Sequence, residues 1–273
     1  MDFVKISFVD LQPEQKEILI AQLADAGYEG FEETESNLDA YINKQKFDKG
    51  LLHEMTYKYQ TPFTSSTIAE TNWNKLWESN FQPVIVGNFV GVRADFHSPI
   101  VGVDHEIVIT PKMSFGTGHH ATTYMMIELM QEIDFAGKQV MDFGTGTGIL
   151  AILAEKLGAA KIVAIDNDDW SIENSKENIE RNNCQNIHLR KASDPVAMQR
   201  FDVILANINK NVILENLTLL TSLLQLGGQM LFSGLLQDDL EAITESCIKT
   251  QTVLEKVFTR DNWIALKILS KCA

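Results

Sequence analysis

Residues Asp142-Phe143-Gly144-Thr145-Gly146-Thr147-Gly148 follow the apolar pair Val140-Met141 and precede a helical run that opens at Ile149. Glycine is needed where the backbone takes positive φ or lies against a ligand with no room for a Cβ. A helix that starts directly behind such a turn offers its free N–H groups to a polar ligand. The next apolar strand, Ile162-Val163-Ala164-Ile165, ends on Asp166, 24 positions after Asp142. A carboxylate there can accept hydrogen bonds from both hydroxyls of a ribose, as in dinucleotide binders. A further strand, Asp202–Ala206, delivers Asn207-Ile208-Asn209. A carboxamide oxygen and a backbone carbonyl at that place can both accept N–H bonds from an amine. The dinucleotide fingerprint G-x-G-x-x-G would require glycine at position 149, where this chain has Ile149, so a nicotinamide-dependent oxidoreductase is disfavoured.

The Asp-x-Gly-x-Gly-x-Gly run resembles motif I of the class I S-adenosylmethionine-dependent methyltransferases. A second glycine loop lies upstream, Pro111-Lys112-Met113-Ser114-Phe115-Gly116-Thr117-Gly118-His119-His120-Ala121-Thr122-Thr123. It is similar, almost residue for residue, to the Phe-Gly-Thr-Gly-x-His-x-Thr-Thr signature of the PrmA-type bacterial lysine methyltransferases, which modify large-subunit ribosomal protein eleven. Trp73, Trp77 and Pro83-Val84-Ile85-Val86-Gly87 also resemble that family, and the likeness covers about residues 70 to 270.

The resemblance implies a pocket for S-adenosyl-L-methionine made by Thr123, Gly144, Asp166 and Asn207, with Thr122, Phe115 and Gly146 as further lining. It also implies that Asp142 meets the amino-acid end of the cofactor, and that Ala192-Ser193-Asp194 stands where family members contact adenine. Asn207 then faces the transferred methyl. The implied reaction is methyl transfer to lysine side-chain amines, and N-terminal amines, of large-subunit ribosomal protein eleven. That substrate is met free or on the ribosome, with no direct nucleic-acid binding expected. Rival substrates are a release-factor glutamine or an RNA base. The amide enzymes carry Asn-Pro-Pro-aromatic where this chain has Asn207-Ile208-Asn209. A non-catalytic cofactor-binding scaffold is the rival from outside enzymology. The adjacent pair His119-His120 invites a metal reading, but neighbouring histidines point apart and no third ligand is evident, so no metal is expected.

The elements that position these residues alternate strand and helix from about residue 121, the signature of βαβ units around a parallel sheet. Strands are expected at 139–143, 161–165, 186–189, 202–206 and 229–233, and helices at 122–133, 149–157, 171–182 and 212–226. A last strand pair is expected at 252–258 and 263–269. Asp168 and Asp169 read as caps for the third helix. Strands are also expected around 83–92 and 106–110. With the resemblance, this is an α/β class I methyltransferase domain with a Rossmann-like, mostly parallel sheet and an antiparallel last strand, over residues 81–273.

Residues 1–60 read as a small α+β domain for substrate recognition. Val4, Ile6 and Phe8 alternate as in a half-buried strand, a helix opens at Pro13, short strands follow at Phe31 and at Leu38–Ile42, and a helix spans 47–59. Residues 61–80 read as a Ser/Thr-rich linker followed by a short helix with the aromatic stripe Trp73, Trp77, Phe81.

The chain has 273 residues with a formal net charge of -14 and 45% hydrophobic residues. A strongly acidic protein is not built to coat nucleic acid, which needs a basic face. Residues 1–42 hold ten acids and two lysines, a net of -8, and the rest share -6. An acidic docking domain for a lysine-bearing partner is the expectation. The three cysteines, Cys184, Cys247 and Cys272, show no metal-ligand spacing and no disulfide framework. With no signal-like start, and with the apolar stretch 212–226 broken by polar residues, a cytoplasmic location is expected.

Overall fold

Alternation decides the first sheet. Strand β1 (Phe3–Phe8) buries Val4, Ile6 and Phe8, and β3 (Leu38–Asn43) buries Leu38, Ala40 and Ile42. The two pair antiparallel with Ile6 opposite Ala40, so one face of each is apolar and they share it. The computed structural model describes residues 3–9, 11–34, 36–57, 61–68, 81–112, 116–195 and 199–270. The chain divides into two units, residues 1–80 and 81–273.

In the first unit β1 is followed by α1 (Pro13–Asp25), β2 (Gly30–Glu33), β3, α2 (Lys49–Tyr57) and β4 (Phe63–Ile68). The antiparallel sheet runs β2-β3-β1-β4, the βαββαβ arrangement of ferredoxin-like folds. Leu19 and Leu23 of α1 and Leu52 of α2 complete its core. Helix α2 starts later than expected because Asp48 caps it, its Oδ1 accepting the amides of Gly50 and Leu51. The linker expectation is corrected over 63–68, which pairs antiparallel with β1 along its length. Thr64, Ser65, Ser66 and Thr67 are all exposed, so this edge strand has no apolar alternation to betray it. The expected helix around Trp73 and Trp77 lies outside the described residues.

The second unit opens with a small sheet of β5 (Val84–Val86), β6 (Val90–Ala94) and β7 (His105–Ile109) in that order. The strand expected over 83–92 is thus two, paired antiparallel across a turn at Gly87. Then follow α3 (Ala121–Gln131), β8 (Gln139–Phe143), α4 (Ile149–Lys156), β9 (Lys161–Asp166), α5 (Asp169–Arg181), β10 (Ile187–Lys191), β11 (Phe201–Asn207), α6 (Lys210–Ser222), β12 (Leu224–Leu236), α7 (Leu240–Lys249), β13 (Thr252–Arg260) and β14 (Trp263–Ser270).

The large sheet has the order β10-β9-β8-β11-β12-β14-β13. β10 through β12 are parallel, and β14 and β13 are antiparallel to their neighbours. Because helices cover both faces, β8, β9 and β11 read as nearly unbroken apolar runs, with Val140, Ile162, Ala164, Ile204 and Ala206 fully buried. The order reverses between β8 and β11, and a crevice opens at the carboxyl ends of strands at such a switch point. Helix α6 ends four residues before the expected 226, and the chain enters β12 at Leu224. The sequence predicts no element over α7, whose buried face is only Ile243 and Cys247, too short a stripe to announce a helix.

Candidate functional site

The switch point gathers the glycine turn. Strand β8 ends at Phe143, and Gly144, Gly146 and Gly148 all take positive φ, at 77°, 57° and 81°, which L side chains rarely adopt. The amides of Gly144 and Thr145 both donate to the Ile165 carbonyl at 2.9 Å, tying the turn to β9. Asp166, at the end of β9, accepts the Gly146 amide at Oδ2 (2.9 Å) and the Asp168 amide at Oδ1 (3.0 Å). A carboxylate has about four lone-pair sites, so two such bonds leave capacity for two hydroxyls. Asp168 caps α5 by accepting the Ser171 amide at 2.8 Å. Asp169 sits inside the helix and pairs with Lys191.

Asp142 is wholly buried one residue before the strand end. Its Oδ2 accepts the Thr145 hydroxyl at 2.6 Å, and its Oδ1 has no hydrogen-bond partner. Burial pushes its pKa up to about 7, opposed by the Thr145 hydroxyl and the nearby Ala151 amide, with the charge of Asp166 adding to the rise. Asn207 closes β11, with Nδ2 donating to Thr123 Oγ1 at 3.2 Å and Oδ1 buried without a partner. Both orphaned oxygens lie beside the crevice residues, and a buried acceptor left bare calls for a donor from a ligand or water.

The second glycine loop reaches the first through a hydroxyl: Thr147 Oγ1 donates to the Gly116 carbonyl at 2.6 Å. The two histidines diverge. His119 places Nε2 2.8 Å from the Gln82 carbonyl and Nδ1 3.2 Å from the Thr117 hydroxyl. His120 caps α3, accepting the Thr122 amide at Nδ1, and meets the ring of Trp263 edge-on at 4.7 Å between centroids. Among the described residues no three His, Cys, Asp or Glu side chains come together as a metal cluster.

A cavity of about 430 Å³ lies at this crevice. Gly144, Gly146, Asp166, Asn207 and Thr122 line it, while Thr123 and Asp142 are buried immediately behind the wall. Ala192 and Ser193 also line it. Phe115 lies outside the described residues. His120, Gly234 and Trp263 line it too, beyond the pocket residues expected from the sequence. Gly234 had a signal in its position just past the expected strand 229–233. Trp263 had none, because the antiparallel tail returns it from far along the chain. The wall fits an adenosyl sulfonium ligand: a turn with no Cβ in the way, a helix N-terminus, a strand-end carboxylate and two bare buried oxygens.

The model of the ribosomal protein L11 methyltransferase (PrmA) family matches residues 4–271. A ribosomal protein L11 methyltransferase of Porphyromonas gingivalis is 38% identical over 259 residues, 92% of this chain and 89% of that protein. One of Phocaeicola vulgatus is 37% identical over 93% of this chain and 94% of its own length. Among solved structures, a ribosomal protein L11 methylase of Lactobacillus delbrueckii subsp. bulgaricus superposes with a TM-score of 0.66 at 29% identity, covering 70% of this chain and all of that one. A Pyrococcus furiosus methyltransferase shares the fold, with a TM-score of 0.53 at 21% identity, 61% of this chain and 90% of that one.

Proposed function

The chain belongs to the ribosomal protein L11 methyltransferase (PrmA) family and is a methyltransferase of class I fold, and from that premise we propose that it methylates lysine side-chain amines of large-subunit ribosomal protein L11 in the cytoplasm, with S-adenosyl-L-methionine as donor. The observation that carries this reading is the Asn207 carboxamide, whose Nδ2 is committed to Thr123 and whose Oδ1 is bare. An acceptor held in that way suits an N–H donor such as an amine.

S-adenosyl-L-methionine, when bound, supplies an electrophilic methyl on a sulfonium sulfur. The Gly144–Gly148 turn and the first N–H groups of α4 give its polar end a surface, Asp166 accepts its ribose hydroxyls, and Ser193 flanks its base. Asp142 meets its amino-acid end directly or through water. Asn207 Oδ1 and the neighbouring Ile208 carbonyl accept the N–H groups of the incoming amine and aim its lone pair at the methyl. That carbonyl lies where a Cβ on residue 234 would collide with it, so Gly234 keeps it uncovered.

The attacking amine must be neutral, and an exposed lysine has a pKa of about 10.4. Ile208, Val212 and Trp263 form an apolar stretch of the wall, and desolvation there lowers that pKa. No side chain is required as general base, because water can carry the proton away. Positioning supplies most of the rate, in favourable cases roughly 7–11 kcal/mol of barrier. The net charge of -14 disfavours an RNA substrate.

The test is incubation with labelled S-adenosyl-L-methionine and ribosomes or free L11 from cells lacking the enzyme, with labelled residues located by mass spectrometry. Label on lysine side chains is expected. Label on RNA or on a glutamine overturns the reading.

A further inference from the structure

Helix α5 carries three buried polar side chains on one stripe, Asn174, Ser175 and Asn178, and its half-buried C-cap Asn182 continues that stripe one turn on. Asn174, Ser175 and Asn178 are fully buried. A buried amide is costly unless its hydrogen bonds are made, and here all but one are made to backbone, the exception being Asn174 Oδ1, which is buried without a partner. Asn182 Oδ1 accepts the Val108 amide at 3.0 Å and its Nδ2 donates to the Val108 carbonyl at 2.6 Å. Asn174 Nδ2 donates to the Thr110 carbonyl at 3.1 Å, and Asn178 Oδ1 accepts the Thr110 amide at 2.8 Å. Strand β7 is the edge of its small sheet, and this ladder of amides stands in for the strand that would otherwise pair with that edge.

At its N-terminal end the same ladder turns to the glycine turn. Ser175 Oγ donates to the Gly146 carbonyl at 2.6 Å, and Asn178 Nδ2 donates to the Thr147 carbonyl at 2.8 Å. Thr147 in turn donates through its hydroxyl to Gly116, and both Gly116 and Gly146 line the cavity. A Cβ at Gly116 would lie 2.8 Å from that hydroxyl, so the two loops are in direct contact.

We infer that Asn178 is a positioning residue that holds the two glycine loops of the pocket in register. Its one carboxamide fixes Thr110, which leads into the second loop, and Thr147, which belongs to the first, and Thr147 passes the constraint to Gly116. This inference rests on the reading of the cavity as the cofactor pocket. Asn182 serves as its internal control, since it sits on the same stripe and bonds β7 and its own helix but neither loop.

The experiment uses the full-length chain and S-adenosyl-L-homocysteine as probe, with Kd from titration calorimetry and Tm without ligand. Asn178→Ala and Asn182→Ala are both expected to lower Tm. Only Asn178→Ala is expected to weaken the probe, by about tenfold, the factor that goes with one well-formed hydrogen bond. Thr147→Val should weaken it similarly and Thr147→Ser should restore it, which decides the matter even if Asn178→Ala fails to fold. The losses in Asn178→Ala and Thr147→Val should combine to less than their sum, as for residues in one network. Unchanged Kd in Thr147→Val, or equal Kd in the two asparagine variants, overturns the inference. A wild-type chain that does not bind the probe overturns the pocket reading instead.

Discussion

Thr123 and Asn207 meet across 84 residues of sequence, the carboxamide nitrogen of Asn207 donating to the Thr123 hydroxyl at 3.2 Å. The consequence is directional. A carboxamide can be turned over, and only one of its two orientations presents an acceptor to the crevice. Thr123, at the start of α3, accepts the carboxamide nitrogen of a residue at the end of β11, which leaves Oδ1 as the unengaged acceptor.

Asn207→Ala should therefore cut methyl transfer to the protein by about a hundredfold or more, the scale of a lost positioning contact, while the Kd for S-adenosyl-L-homocysteine changes little. Thr123→Val should lower kcat by about tenfold and Thr123→Ser should recover most of it, because one hydrogen bond sets the carboxamide. Steady-state kinetics beside calorimetric binding reads both. Equal losses of binding and turnover in Asn207→Ala would remove the amine-orienting role.

Much of this site was readable because its parts lie at strand ends next to glycine punctuation. Asp142, Gly144, Asp166 and Asn207 each follow an apolar run, and the crevice of a parallel sheet collects such ends. What escaped was set by tertiary return. Trp263 reaches the cavity through an antiparallel tail, and the amide stripe of α5 looks like a solvated helix face until β7 is laid against it. Strand β4 escaped for a different reason: its pairing comes from backbone, and its side chains are serines and threonines on an edge.

A glycine at 144 is required twice over, by its φ of 77° and by the Ile208 Cγ2 that occupies the place of a Cβ. Gly144→Ala should lower Tm and weaken S-adenosyl-L-homocysteine by roughly tenfold or more, combining left-handed strain of roughly 1–2 kcal/mol with the displacement of Ile208. Gly137→Ala is the matched case, with a φ of 71° and nothing within 4 Å of its Cβ, and it should lower Tm only. Adding Ile208→Ala to Gly144→Ala removes the collision and should recover part of the binding.

The raised pKa of Asp142 gives the ligand-free protein a signed pH dependence. Its folded value of about 7 lies above the ordinary 3.8, so between those values the folded state holds a proton that the unfolded state has released. Stability from this group is therefore lost as pH rises through that window and stays lost above it. Asp142→Asn keeps an acceptor for Thr145 and removes the titration. The variant's Tm should exceed the wild type's by more at pH 8 than at pH 5, and scanning calorimetry without ligand measures the difference. A gap that does not grow with pH would mean the carboxyl titrates normally. Cofactor affinity should fall in the same variant, since the neutral amide no longer attracts a cationic amino group.

The acidic first unit carries the last prediction. Glu17, Asp25 and Glu33 are exposed, and changing all three to lysine takes the net charge of residues 1–42 from -8 to -2. If that charge guides a lysine-bearing partner, the KM for L11 should rise several-fold at low ionic strength, because complementary charge acts chiefly on encounter. The difference from wild type should shrink as salt shortens the screening length to about 8 Å near physiological strength. Binding of S-adenosyl-L-homocysteine should stay as it is. Charge reversal is a cleaner probe than removing residues 1–60, since that cut would strand β4 without its partner β1. An unchanged KM at low salt would return the charge to a role in solubility.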